Sequence, residues 1–216
     1  RAIVPILLEP LIASFCKAYP AFEVETAANE KLIDLATESF DSGIRMGQFV
    51  DADMVAVPLT PPFRFAVVGS PAYLARHGQP EHTDDLRRHA CLRWRRSGGV
   101  IAPWSFNDNG QAIEIAVSGP LIANDFPTIL GAAMEGMGLA QLPEPMVAEG
   151  LRTGRLMHVL KAYAPTMPGV SLYYPSRRQI LPKLRAFIDH VKSRSIDDGK
   201  ARVKNDATRA GPKKKT

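Results

Sequence analysis

From Leu7 to Tyr19 the apolar residues Leu7, Leu8, Leu11, Ile12, Phe15 and Tyr19 recur at steps of three and four. That spacing predicts an amphipathic helix, stopped at Pro20. The period then drops to two: in "FEVETA" (22–27), Phe22, Val24 and Thr26 share one face, as in a strand. Helical spacing returns through Leu32, Leu35, Ala36 and Phe40, with Asn29 placed as the N-cap. "SGIRMG", "DMVAVPL" and "FRFAVVGS" read as three further strands, the last with a buried apolar stretch. Alternation of this kind predicts an α/β fold with a largely parallel sheet and helices on its faces. In such folds ligands sit beyond the carboxyl ends of the strands, beside helix N-termini.

The middle of the chain follows another rhythm. In "PWSFNDNGQAIEIAV" two short alternating runs flank Asn107-Asp108-Asn109-Gly110. That is a hairpin signal, because Asn-Gly tolerates the positive φ of a tight turn. "GPLIAND", a helix through "TILGAAMEGMG", a strand "LAQLP" and a helix through "MVAEGLRTG" follow, so residues 70–170 make a second α/β lobe. The chain leaves the first lobe near Ser70 and returns near Leu172 in "VSLYYP". A last helix from Leu181 carries the stripe Leu184, Phe187, Ile188 and Val191. Two crossing strands imply a hinge, with a cleft between the lobes.

Composition changes this picture little. Of 216 residues 45% are hydrophobic and 23% charged, enough for a sizeable core. Apolar runs stop well short of the roughly 18 residues a membrane span needs, and "RAIVPILLEP" lacks a signal-peptide layout. Cys16 and Cys91 lie far apart in different kinds of segment, which points to reduced thiols and a cytoplasmic setting rather than a disulfide framework.

Charge changes it more. The net +5 invites a nucleic-acid reading until it is located: residues 194–216 hold eight Lys or Arg against three Asp, and residues 1–193 sum to zero. The tail is polar and aperiodic, so it is predicted disordered. It is either a solvated end or a weak contact to a polyanion through counterion release.

Candidate chemistry is sparse. Ser70 follows an apolar strand as a nucleophile would, but Gly69-Ser70-Pro71 lacks the second glycine of a nucleophile elbow. Serine, then proline, then Gly78 past the last turn is instead a helix start-and-stop set. His77, His82 and His89 match no zinc spacing and read as surface or helix-end residues, with Thr83 or Asp84 capping "DDLRR". Asp41 and Asp125 are explained by turns and caps. Gly136 and Gly138 read as a helix C-terminus rather than a phosphate loop. No metal and no cofactor are expected.

What remains are candidate cleft groups. Pro5-Ile6-Leu7 begins the first helix after a short first strand, and Asn124-Asp125-Phe126 begins the helix after "GPLIA". Backbone N–H groups at such starts favour carboxylates or other anions. The arginines of "RWRRSGG" (93–99) are either a solvated face or a loop that closes over a ligand.

Several stretches together resemble the effector-binding domain of LysR-type transcriptional regulators. "FDSGIRMG" (40–47), "VVGSPAYLARHGQPEHTDDLRRHACL" (67–92) and "LYYPSRRQILPKLRAFIDHV" (172–191) resemble that family's segments, in the family's order. The resemblance implies a periplasmic-binding-protein-like (type II) fold: two α/β subdomains joined by two crossing strands, with a ligand cleft between. Residues 1–69 and 171–193 would form regulatory subdomain I and residues 70–170 subdomain II. It further implies a small-molecule inducer, with Ile6, Leu7, Ser97, Asn124 and Phe126 around it by position. Apolar Ile6-Leu7 and Phe126 lean toward an aromatic or apolar carboxylate.

An antiparallel homodimer is implied through helix 30–39 and the helix near 128–136, with Leu32, Leu35, Ile129 and Ala133 in the contact; by the family pattern the parent protein is a dimer or a tetramer. Arg45 belongs to the family motif. The family's amino-terminal winged helix-turn-helix, through which DNA is bound, has no counterpart in these residues. A solute-binding protein of a transporter shares the fold and is the alternative; an enzyme using a cleft carboxylate is the third reading, without an acid/base constellation to support it.

Overall fold

A computed structural model describes residues 3–27, 40–46, 54–96, 98–176 and 180–193. In chain order its elements are α1 (Ile3–Ala18), β1 (Gly43–Met46), β2 (Met54–Pro58), β3 (Phe63–Gly69), α2 (Pro71–His77), β4 (Cys91–Trp94), β5 (Trp104–Asp108) and β6 (Gln111–Ile115). Then come β7 (Ile122–Ala123), α3 (Phe126–Met134), β8 (Leu139–Pro143), α4 (Glu144–Arg152), β9 (Met157–Val159), β10 (Thr166–Met167) and β11 (Val170–Pro175). Helix α5 covers 182–193. Short 3-10 turns lie at Thr83–Arg88 and Lys161–Tyr163.

The chain divides into two compact units, one of which contains Pro62–Pro168. In that unit the strand order is β10-β3-β8-β4-β7, with β9 also on β3. The sheet follows from period-two alternation. Ala66, Val68, Leu92, Ala140 and Leu142 feed one apolar cluster, with Phe126, Ile129 and Ala133 of α3 and Met146 and Val147 of α4. Their sequence neighbours Val67, Cys91 and Leu139 feed another, with Tyr73, Leu74, Leu86, Trp104 and Phe106. Burying each large apolar side chain is worth about 1.5–3 kcal/mol, so both faces of the sheet are firmly covered.

The hairpin β5–β6 turns at Asn109 and Gly110, with φ of 50° and 89°, as the Asn-Gly signal requires. Gln141 ties it to β8: its Oε1 accepts from Ser105 N at 3.1 Å and its Nε2 donates to Ser105 O at 2.7 Å.

The other unit contains Glu9–Glu25 and, beyond the first, the segment from Gly169. Its sheet runs β1-β11-β2, and Val57, Leu172 and Tyr174 pack with Leu184 and Ile188 of α5. Phe15 of α1 meets Phe187 edge-on at 5.0 Å, and Ser14 Oγ lies 2.8 Å from His190 Nε2.

Three expectations fail here. The sheets are not largely parallel: β4 runs parallel to β7 and to β8, but β1–β11, β2–β11, β3–β8, β3–β9, β3–β10 and β5–β6 are antiparallel. Right-handed βαβ crossovers impose parallel order only on strands they connect. β3 and β11 enter their sheets by other routes.

Residues 22–27 form no strand. They are exposed, and Phe22 turns back to stack on Phe15 at 5.9 Å. Alternation supplies a face, but a strand also needs an edge to pair with. Finally, α1 is helical from Ile3, where a short strand was expected, and it accommodates Pro10. The helix at 30–39 with its Asn29 cap, and the tail 194–216, lie outside the described residues.

Candidate functional site

The carboxyl ends of the parallel strands β4 and β7 lie side by side, with Trp94 in register with Ala123. The next residues are Asn124, which is exposed, and Asp125, whose Oδ1 accepts from Thr128 N at 2.8 Å and caps α3. Phe126 opens the helix. Its ring lies 4.9 Å from Trp94 and 6.3 Å from Phe65, and it is only 5% exposed. Phe126 therefore supports the site as part of the apolar wall rather than as an exposed surface.

The three arginines of "RWRRSGG" separate into distinct roles. Half-buried Arg93 donates from Nη2 to Gly119 O at 2.9 Å, so it anchors the chain rather than forming a solvated face. Arg95 closes its own turn onto Gly99 O at 2.7 Å. Exposed Arg96 lies over the Trp94 ring, 5.7 Å from its centroid. Arg96 forms no ion pair among the described residues. A guanidinium on an aromatic face, beside a capped helix start, can receive an anion. Trp94 itself went unremarked in the sequence; only its position at a strand end could have marked it.

Other candidates fall differently. Ser97, Leu32 and Leu35 lie outside the described residues. Ile6 and Leu7 stand within α1, past its first residue Ile3 rather than at its start. Ile129 and Ala133 are 2% and 0% exposed and face their own sheet. Phe126, Ile129 and Ala133 form one helical stripe by their three- and four-residue spacing. Pro127, Thr128 and Gly131 are the exposed positions of α3, so any partner meets those instead. Arg45 lies 5.6 Å from the centroid of the Tyr173 ring, and Asp41 pairs with Lys183 at 2.8 Å.

Ser70 is a cap. Its Oγ accepts from Tyr73 N at 3.2 Å, Pro71 occupies the first turn, and Gly78 N–H closes the helix onto Leu74 O at 2.9 Å. Tyr73 then organises its surroundings. Its hydroxyl accepts from Ala90 N at 2.9 Å and meets His89 Nδ1 at 3.3 Å. His77 stacks on the ring at 4.3 Å, its Nδ1 donating to Tyr73 O at 3.0 Å.

His77 and His89 are thus both helix-end residues as expected, His89 N–H closing the 3-10 turn onto Leu86 O at 3.2 Å, but His89 is buried rather than at the surface, 8% exposed. Burial, helped by neighbouring His77, holds its imidazole below the ordinary value. Burial also pushes the Cys91 thiol up to about 12, which leaves it a poor nucleophile. Neither Thr83 nor Asp84 caps the 3-10 turn. Asp85 does that work through Oδ2, accepting from His82 N at 2.9 Å and Glu81 N at 3.0 Å. These bonds, with Arg88, lower its carboxyl to about 2.

Among the described residues no three His, Cys, Asp or Glu side chains gather as metal ligands, and no helix is long and apolar enough to cross a membrane.

The fold is the periplasmic-binding-protein-like type II fold of regulatory domains. The chain belongs to the LysR substrate binding domain family, whose family model matches residues 2–195. A Pseudomonas aeruginosa protein described as a transcriptional regulator is 40% identical over 86% of this chain and 61% of its own length. The HTH-type transcriptional regulator YcaN of Escherichia coli, itself uncharacterized, is 36% identical over 91% of this chain and 64% of its own. The chain thus spans under two thirds of these relatives. The CrgA regulatory domain, from a LysR-type regulator of Neisseria meningitidis, is 29% identical with a TM-score of 0.75, covering 88% of this chain and 92% of that one.

Proposed function

We propose that this chain is the effector-sensing and dimerising part of a LysR-type, DNA-binding transcriptional regulator. One observation carries the reading: a single family spans both units, over residues 2–195, and its longer relatives are named as transcriptional regulators. DNA would be bound through a winged helix-turn-helix outside these residues. The inducer would occupy the cleft that the family fold implies between its two subdomains, with Ile6, Leu7, Ser97 and Asn124 around it and Phe126 behind.

A small carboxylate, aromatic or apolar in its body, fits best. The Trp94–Phe126 pair offers it an aromatic wall, and Arg96 a cation that forms no ion pair among the described residues. Dimerisation would use Leu32 and Leu35 of helix 30–39 against the exposed face of α3 at Thr128 and Gly131. Ligand-linked change in the subdomains would then alter the geometry of the attached DNA-binding domains.

A gel-shift assay tests the regulatory claim. The full-length parent is expected to retard its neighbouring promoter DNA, with a pattern that the inducer alters. No retardation would turn the reading toward the solute-binding alternative. For assembly, Leu32→Arg, Leu35→Arg and Thr128→Arg are each expected to give monomers in sedimentation velocity, and an unchanged dimer would reject the helix concerned.

A further inference from the structure

In the unit containing Pro62–Pro168, at the sheet edge opposite β7, β9 pairs antiparallel with β3 and sets His158 opposite Val68. Residues opposed in this way share a face, and Arg64, at an even step along β3 from Val68, shares it too. The imidazole is half-buried, and its Nε2 is closed off from solvent without a hydrogen-bond partner among the described residues. A buried polar atom left so is destabilising until something completes it.

The chain after β9 brings cations to it. Leu160 takes φ 53° and ψ 35°, the left-handed conformation that a residue with a Cβ disfavours. Such residues persist where their surroundings hold them, and they cluster at ligand sites. Here the buried Leu160 side chain is held in the apolar cluster of Val67 and Val159. The reversal starts the 3-10 turn Lys161–Tyr163, and Arg64 clamps it, Nη2 donating to Lys161 O at 2.9 Å and to Ala164 O at 3.2 Å. Lys161 itself is exposed, and neither it nor Arg64 forms an ion pair among the described residues. Burial, then Lys161 and Arg64, hold the His158 imidazole below its ordinary value, and no carboxylate among the described residues offsets them. On α4, which packs against β9, Glu149 and Arg152 pair with each other and Glu144 stands at the helix start.

We propose that His158, Arg64 and Lys161 form a second ligand site, apart from the strand end at Trp94 and Asn124, that takes a phosphate-type dianion: inorganic phosphate or the phosphate group of a small metabolite. A phosphate group carries about −1.5 to −2 charges at pH 7 and three acceptor oxygens. Those suit an imidazole, a guanidinium and an ammonium better than the two oxygens and single charge of a carboxylate do. The anion gives Nε2–H its acceptor and favours the charged imidazole. The site does not depend on the sensor reading above.

The test uses the whole chain and inorganic phosphate as the probe, with chloride holding the ionic strength constant. Amide NMR signals of Val159 and Lys161 report occupancy, and a ring proton of His158 reports its titration. Phosphate is expected to shift those amides saturably and to raise the His158 midpoint by about one pH unit, which corresponds to tenfold tighter binding by the charged imidazole. Lys161→Met and His158→Gln should each weaken phosphate by about tenfold, whereas Lys161→Arg keeps the affinity. Neither residue belongs to an apolar cluster, so folding is retained.

Methyl phosphate is the second arm. An affinity equal to or above that of inorganic phosphate assigns the site to phosphate esters, and a lower one assigns it to the free ion. Absence of a saturable shift with either anion would overturn the site. So would shifts that survive both Lys161→Met and His158→Gln, or that fall equally with Lys192→Met, a lysine of the other unit.

Discussion

The two units cover their sheets differently. In Pro62–Pro168 alternate residues of β3, β4 and β8 supply two apolar clusters, one on each face. In the other unit the described residues form one cluster, in which β2 and β11 meet α5. Val170–Tyr174 of β11 are buried on both faces too, so the difference lies in the covering: among the described residues, many more apolar side chains pack on the first unit's sheet than on the second's. The first unit should therefore behave as the rigid frame on which strand-end residues are held in place.

Core truncation should separate the units most strongly. Leu142→Ala, in the central strand β8, is expected to destabilise the first unit by about 3–4 kcal/mol, and Leu184→Ala the second by about 2 kcal/mol. Both tryptophans, Trp94 and Trp104, lie in the first unit, so urea unfolding by tryptophan fluorescence reports on that unit alone. Leu142→Ala should lower the fluorescence midpoint by more than Leu184→Ala does. Equal shifts, coincident with those seen by far-UV circular dichroism, would mean that the units unfold as one and that the contrast has no thermodynamic content.

Next in size is Tyr73→Phe. It strands the Ala90 N–H and His89 Nδ1 inside the second cluster, at an expected cost of about 1–2 kcal/mol in the fluorescence transition. A change below a few tenths would show that the hydroxyl is dispensable. That network was only partly legible in the sequence. The Ser-Pro start and the Gly78 stop identified α2 and its cap, because capping is local chemistry. The burial of His89 was not legible, since it depends on Tyr73 reaching sixteen residues along the chain.

The same division between local and distant causes explains the other outcomes. The Asn109-Gly110 hairpin and the strands at 43–46, 54–58 and 63–69 follow from near-neighbour patterns. Strand direction and the fate of 22–27 depend on which edges are available, and a single strand's pattern does not contain that. At the candidate site, Asn124 and the α3 start were legible as a strand-to-helix junction. The inward turn of Ile129 and Ala133 was present in their spacing with Phe126. The pairing of Arg96 with Trp94 needed the fold.

The smallest effect concerns pH. Burial lowers the imidazoles of His89 and His158, both in the first unit, and nearby cations add to it at each. With a folded value below the unfolded one near 6.5, the unfolded chain takes up protons first. The stability these groups contribute is fully present above that pH and is lost as pH falls through it toward the folded values. The fluorescence midpoint in urea should therefore be lower at pH 5 than at pH 7.5, and His89→Gln should flatten part of that slope. A slope unaltered by His89→Gln would assign the loss elsewhere.

The most direct test of effector sensing is a thermal-melt screen of the purified chain against small carboxylates, amino acids and aromatic metabolites, repeated with Asn124→Ala. A true effector at about 100 times its Kd adds roughly 2.7 kcal/mol, which raises the melting midpoint by roughly 5–10 °C for a domain of this size. The sensor reading predicts such a shift for a carboxylate, with Asn124→Ala melting normally by itself and losing the shift. A shift that Asn124→Ala leaves intact would contradict the placement of the site. No shift across the panel, with no co-purified small molecule in native mass spectrometry, would contradict effector sensing by this chain.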